Sequence, residues 1–185
     1  MLIYDFTQGQ LSVNPVREIT LRTGKYALVL LILSLACTPI NIVLGFKPIM
    51  RLRKMLGLYA ALYAGLHLMT YLGLDYAFMW AAIGEDIRYR RFIQVGFLAF
   101  LLLVPLAITS TKGWLRRLGK KWRWLHRLAY LAGLLDVLHF YLLVKANRRE
   151  PLIYGTVLLA LLVVRIPFIR RSIIAIRKKL TTKRG

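Results

Sequence analysis

The chain contains three histidines, and each lies within an apolar run long enough to matter in a membrane. His67 sits deep in MLGLYAALYAGLHLMTYLGL, Met55 to Leu74. His126 and His139 sit near the two ends of WLHRLAYLAGLLDVLHFYLLVK, Trp124 to Lys145. About 20 apolar residues suffice for a helix to cross a bilayer. An ionisable side chain inside such a helix is costly, faces the bundle interior and usually has a task. Neutral imidazole offers a ring nitrogen to a transition metal, so metal ligation is the first chemistry to consider.

Spacing sharpens that reading. The two histidine helices run the same way across the membrane if each apolar run is one span. His67 then lies about 12 residues into its span and His139 about 15 into its own, at similar depth for a rise of ~1.5 Å per residue. Two histidines at one depth on neighbouring helices can grip one iron from opposite faces, with the apolar surroundings burying a macrocycle. We therefore expect heme ligated by His67 and His139. His126 lies roughly 20 Å lower, a depth that suits a second heme. The positions matching it on the other helix are Arg53 and Lys54, which cannot ligate iron. His126 and His139 also fall about 140° apart around an ideal helix, so they do not share a stripe. The alternative for each histidine is a plain hydrogen bond to a backbone carbonyl, and His126 sits at the membrane boundary beside Arg127.

The elements that must position these residues follow from composition and charge. Of 185 residues, 58% are hydrophobic, which excludes disorder and points to an all-α polytopic membrane bundle. The net charge of +21 would suggest nucleic acid in a soluble protein. Here the basic residues flank apolar runs, so they report topology and membrane lipid instead, and no nucleic-acid partner is expected. Cys37 is the sole cysteine, which excludes an internal disulfide and a C-x-x-C-H attachment, so any heme is held without thioether bonds. The first 24 residues lack an apolar core of signal-peptide length.

About five spans are expected, near 24–44, 55–74, 92–111, 124–145 and 152–168. Residues 1–23 read as an extracytoplasmic tail, 24–168 as the heme-binding transmembrane domain and 169–185 as a basic cytoplasmic tail lying on the membrane surface. Residues 75–91 read as an interfacial loop anchored by Trp80. Pro105 is expected to kink its helix. Segments 47–54, 112–127 and 165–185 carry 4, 7 and 8 Lys and Arg; the N-terminal tail to Lys25, 88–91 and 145–149 carry 3 each. The positive-inside rule then puts the N-terminus outside and the C-terminus in the cytoplasm.

Other residues leave alternatives open. Asp136 either joins a proton path or pairs with a donor. Trp80, Trp114, Trp122 and Trp124 suit an aromatic belt. Arg51, Arg88, Arg90 and Arg91 either bind heme propionates or are solvated. The segment 112–127 holds either a flavin phosphate or anionic lipid. No sequence repeat is evident.

The stretches TGKYALVLLILSLACTPI, RKMLGLYAALYAGLHLMTYL, TSTKGWLRRLGKKWRWLHRLAYL and REPLIYG resemble the MsrQ (YedZ) family. These are heme-binding membrane subunits of the bacterial protein-methionine-sulfoxide reductase system, within the ferric-reductase-like transmembrane superfamily. The resemblance covers roughly residues 12 to 170, and His67, His126 and His139 fall on the family's histidine positions. It implies b-type heme and an FMN with no site assignable by residue. It also implies an inner-membrane location, electrons from the quinone pool or a cytosolic flavin reductase, and delivery to a periplasmic molybdopterin partner that repairs methionine sulfoxide in proteins. The chain departs from the pattern at its start, where the family usually has one more membrane helix. No Gly-rich phosphate loop follows a strand, so hydride uptake from NADH by this chain is not expected, and a non-catalytic electron-transfer subunit fits better. The competing readings are a stand-alone ferric or quinone reductase-like cytochrome b and a non-redox proton-coupled transporter.

Overall fold

The computed structural model describes residues 14–182, and every described segment of regular structure is helical. Helix α1 spans Pro15–Leu44. Asn14 caps it by accepting from the Arg17 N–H at 3.1 Å, with Pro15 in the first turn. Glu18 and Arg22 pair along its first turns. Those polar residues extend the helix well before Gly24, which corrects the expected tail over 1–23; residues 1–13 lie outside the described part. Gly45, at φ 75°, ends α1 by donating to the Asn41 carbonyl.

Helix α2 spans Ile49–Met69 and finishes in a wider π turn, Thr70–Asp75. Helix α3, Trp80–Tyr89, replaces the interfacial loop expected there. Its apolar positions are spaced for one face, and Ile83 is buried while Trp80 stays exposed. Helix α4 is Arg91–Ile108 with Pro105 in its last turn. The basic segment that follows folds into two short helices, α5 Lys112–Leu118 and α6 Lys120–Leu125, jointed at Gly119 with φ 48°. Helix α7 is Leu128–Leu143. The stretch Trp124–Lys145 is thus not one helix: it breaks at His126–Arg127. Helices α8, Arg149–Val163, and α9, Pro167–Thr182, meet at a 75° bend.

This is the all-α membrane bundle expected from the sequence. Among the described residues three helices are long and apolar enough to cross a bilayer: Pro15–Leu44, Ile49–Asp75 and Arg91–Ile108. The bent pair α8–α9 makes a fourth if counted as one span. Helix α7, at 16 residues, rises only about 24 Å, short of a ~30 Å hydrocarbon core. Only 6% of the apolar window of Ile49–Asp75 is buried inside the protein, so most of that surface is left to lipid.

The core joins Leu31 and Leu35 of α1, Ala60 of α2, Leu103 and Leu106 of α4, Ala132 of α7 and Leu158 of α8. Small residues at the crossings let backbones approach: a Cβ on Gly133 would meet Leu35 at 3.3 Å. Pro39 cannot donate to the Leu35 carbonyl, and the gap is filled from another helix. Arg165, just past α8, donates to that carbonyl and to the Tyr130 hydroxyl. Arg177 of α9 donates to the Asn41 and Ile42 carbonyls at 3.0 and 2.9 Å, closing the α1 C-terminus. The expected basic tail is therefore helical through Thr182 and docked on α1.

Candidate functional site

Helix α1 packs along α2, and α4 packs along α7. Each pair builds one half of a site. In the first, His67 of α2 turns its Nδ1 to the Thr20 carbonyl of α1 at 2.8 Å. In the second, His139 of α7 turns its Nδ1 to the Phe92 carbonyl of α4 at 2.6 Å. A carbonyl only accepts, so each Nδ1 carries the proton and donates it. Each Nε2 is then left with a free lone pair, the form a metal binds.

The two halves converge. The His67 and His139 ring centres stand 6.1 Å apart, with the planes 75° to each other. Imidazole nitrogens bind first-row metals at about 2.0–2.1 Å, and each ring centre lies about 1 Å behind its nitrogen. Ring centres on opposite sides of one metal would therefore stand roughly 6 Å apart. Among the described residues no three His, Cys, Asp or Glu gather into a metal cluster. Two facing imidazoles alone do not complete the coordination of a bare ion. They would complete that of an iron already held in a macrocycle.

His126 occupies a different setting, at the junction between α6 and α7. It stacks on Trp122 with ring centres 3.9 Å apart, and its Nε2 lies 3.2 Å from Thr109 Oγ1. Trp122 donates to the Thr109 carbonyl at 2.9 Å, which ties this tryptophan to the end of α4. His126 opens onto a cavity of about 430 Å³ also lined by Ser34, Arg53, Lys54, Lys112 and Trp122. Arg53 and Lys54 thus reach the level of His126, as the helix rise anticipates, and they present cations there. Arg53 also donates to Thr38 Oγ1 at 3.4 Å.

Of the other expected candidates, Arg90 pairs with Asp86 at 2.6 Å, Arg88 lies over the Tyr89 ring, and Arg51 and Arg91 are exposed. Asp136, one turn before His139 on α7, has no hydrogen-bond or ion-pair partner among the described residues. Sequence reasoning missed the groups that hold the histidines. Two are main-chain carbonyls, which no residue type announces. The other two are Gly24 and Gly96, which face the His67 and His139 rings. Their signal was available, because a glycine inside an apolar helix costs about 1 kcal/mol and asks for a reason.

Residues 23–137 match the family described as the ferric reductase like transmembrane component. The chain is 49% identical over 168 residues to the protein-methionine-sulfoxide reductase heme-binding subunit MsrQ of Rhodospirillum rubrum, covering 90% of this chain and 81% of that one. It is 53% identical over 152 residues to the MsrQ subunit of Xanthomonas campestris pv. campestris, covering 82% and 70%. It is 51% identical over 152 residues, with the same coverage, to that of Xanthomonas oryzae pv. oryzae. No solved structure matches.

Proposed function

Since the chain belongs to the ferric reductase-like transmembrane family, and within it to the MsrQ heme-binding subunits, we propose that it is a heme b electron-transfer subunit of the bacterial inner membrane. On this reading His67 and His139 are the axial ligands of one heme. The observation that carries it is the 6.1 Å separation of two rings whose Nδ1 atoms are both committed to carbonyls. The residues fit the group: two neutral imidazoles, spaced for one iron, on helices with apolar faces.

Heme, when bound, supplies a one-electron couple that needs no proton transfer at the iron. The protein's part is to hold and tune it. Donation from Nδ1 to Thr20 and Phe92 makes each imidazole a stronger donor and locks its orientation. The same commitment disfavours a proton-coupled transporter, because a histidine donating Nδ1–H to a helix carbonyl is a poor relay. Two histidines held in place and a cationic cavity at the other level suit a wire between partners.

Electrons are taken up on the side of the inner cavity, where Arg53, Lys54 and Lys112 attract an anionic donor and His126 and Trp122 offer a flat aromatic wall to a quinol or flavin ring. The quinone pool and a cytosolic flavin reductase are the two donor classes, and the FMN implied for the family would meet its phosphate requirement at these cations. His126 either faces that ligand or holds a second heme with a ligand from outside the histidine set. Electrons leave at the level of His67 and His139 toward a periplasmic molybdopterin-containing partner that reduces methionine sulfoxide in proteins. The charge asymmetry of the loops supports this orientation, with the C-terminus in the cytoplasm.

The test is the absorption spectrum of the purified protein made with ample heme. A six-coordinate low-spin b-type spectrum is expected. A colourless protein would overturn the reading.

A further inference from the structure

We propose that Gly24 and Gly96 are positioning residues that set the rotation of His67 and His139, a role that rests on reading those histidines as axial ligands. Within a helix, the carbonyl of one residue already accepts from the N–H four residues on, and only its second lone pair remains; at Thr20 the Thr23 hydroxyl, 2.8 Å from the Ile19 carbonyl, also comes within 3.0 Å. The side chain of that later residue stands beside this lone pair and blocks an approaching ring. Gly24 is the residue four on from Thr20, and Gly96 the residue four on from Phe92. In each helix pair the ring fills the place a side chain would take.

The distances show how tightly. A Cβ on Gly24 would lie 3.0 Å from both Cε1 and Nδ1 of His67. A Cβ on Gly96 would lie 2.6 Å from Nδ1 and 2.8 Å from Cε1 of His139. The first contact asks for a small adjustment; the second cannot exist without moving the ring. The arrangement occurs twice with one register, since each carbonyl lies 47 residues before its histidine. Both glycines have ordinary helical backbone, so conformational freedom does not explain them. By contrast, Gly65 on α2, two residues before His67, meets nothing within 4 Å of its Cβ position.

An added methyl at these positions therefore rotates the imidazole and lengthens its bond to the carbonyl. Rotation changes the 75° angle between the planes, and that angle governs the spread of g values in low-spin ferric iron. A weaker Nδ1 bond makes the ring a poorer donor, which destabilises the ferric form and raises the potential.

The experiment compares Gly96→Ala, Gly24→Ala and Gly65→Ala in the full-length protein by electron paramagnetic resonance, redox titration and heme retention. Gly96→Ala is expected to move the largest g value, raise the midpoint potential and lose heme affinity about 10–100-fold, the range for outer-shell groups. Gly24→Ala should shift the same observables in the same sense by less, and Gly65→Ala should leave them at wild-type values. If Gly96→Ala does not accumulate in the membrane, Gly24→Ala carries the test. Wild-type spectra and potential in whichever of the two accumulates, or an equal shift in Gly65→Ala, would overturn the proposal. His139→Ala separates the two levels of inference. If it keeps the wild-type low-spin signal, the ligand reading itself fails. If it loses that signal while the glycine variants look wild type, only the positioning role fails.

Discussion

The two ends of the bundle hold their histidines in opposite ways. At one, His67 and His139 come from separate helix pairs, each ring bound to a carbonyl and seated against a glycine, with ring centres 6.1 Å apart. At the other, His126 stands at a helix junction, leans on Trp122 and borders an open cavity with three cations. On the proposed function the first fixes a resident group in one orientation, and the second receives something charged or aromatic and lets it go. The contrast explains why one depth carries two histidines and the other only one.

The contrast can be broken from either end. The largest effect is expected from His67→Ala and His139→Ala. On the proposed reading each removes one axial ligand, so each should abolish the low-spin spectrum of the same heme, read by heme stoichiometry and redox titration. His126→Ala should leave that spectrum nearly intact, because His126 lies before the start of α7 at Leu128, roughly 16 Å of helix rise from His139, while slowing reduction of the heme by a quinol or reduced flavin. Arg53→Ala and Lys54→Ala should act similarly at the donor side. A drop of roughly tenfold in the rate of heme reduction, with unchanged heme content, corresponds to about 1.4 kcal/mol. If these variants lost heme instead, the cavity would belong to the resident cofactor and the contrast would collapse.

Smaller effects concern the frame that keeps the two ends apart. Arg165→Leu leaves the Leu35 carbonyl without a donor opposite Pro39, at a cost of about 1–3 kcal/mol, seen as a lower Tm in detergent. Asn14→Ala removes the cap of α1 and should cost about 1 kcal/mol, with a slight loosening at Thr20 and hence at His67.

What the sequence made legible follows the same division. Hydrophobic runs announced the membrane helices, and helix rise alone placed His67 beside His139 and Arg53 near His126. The start of α1 is legible in Asn14, Pro15 and Glu18, which form a helix beginning, but the polarity of this stretch reads as a tail. The break at His126–Arg127 is hidden because no capping residue announces it: Arg127 opens α7 without a side-chain cap. Helix α3 is hidden by its charge, since its apolar and polar residues alternate at helical spacing rather than forming a run. The clamps could not be read at all from similarity between the halves, because what repeats is a carbonyl, a missing side chain and a separation, not a residue string.

The central claim is that His67 and His139 are the two ends of one axis. Redox titration with electron paramagnetic resonance of His67→Ala, His139→Ala and His126→Ala, each with heme content measured, tests it most directly. The account predicts that the first two lose the same low-spin species and the third retains it. Loss of that species in His126→Ala with retention in His139→Ala would contradict it and pair His67 with His126 instead.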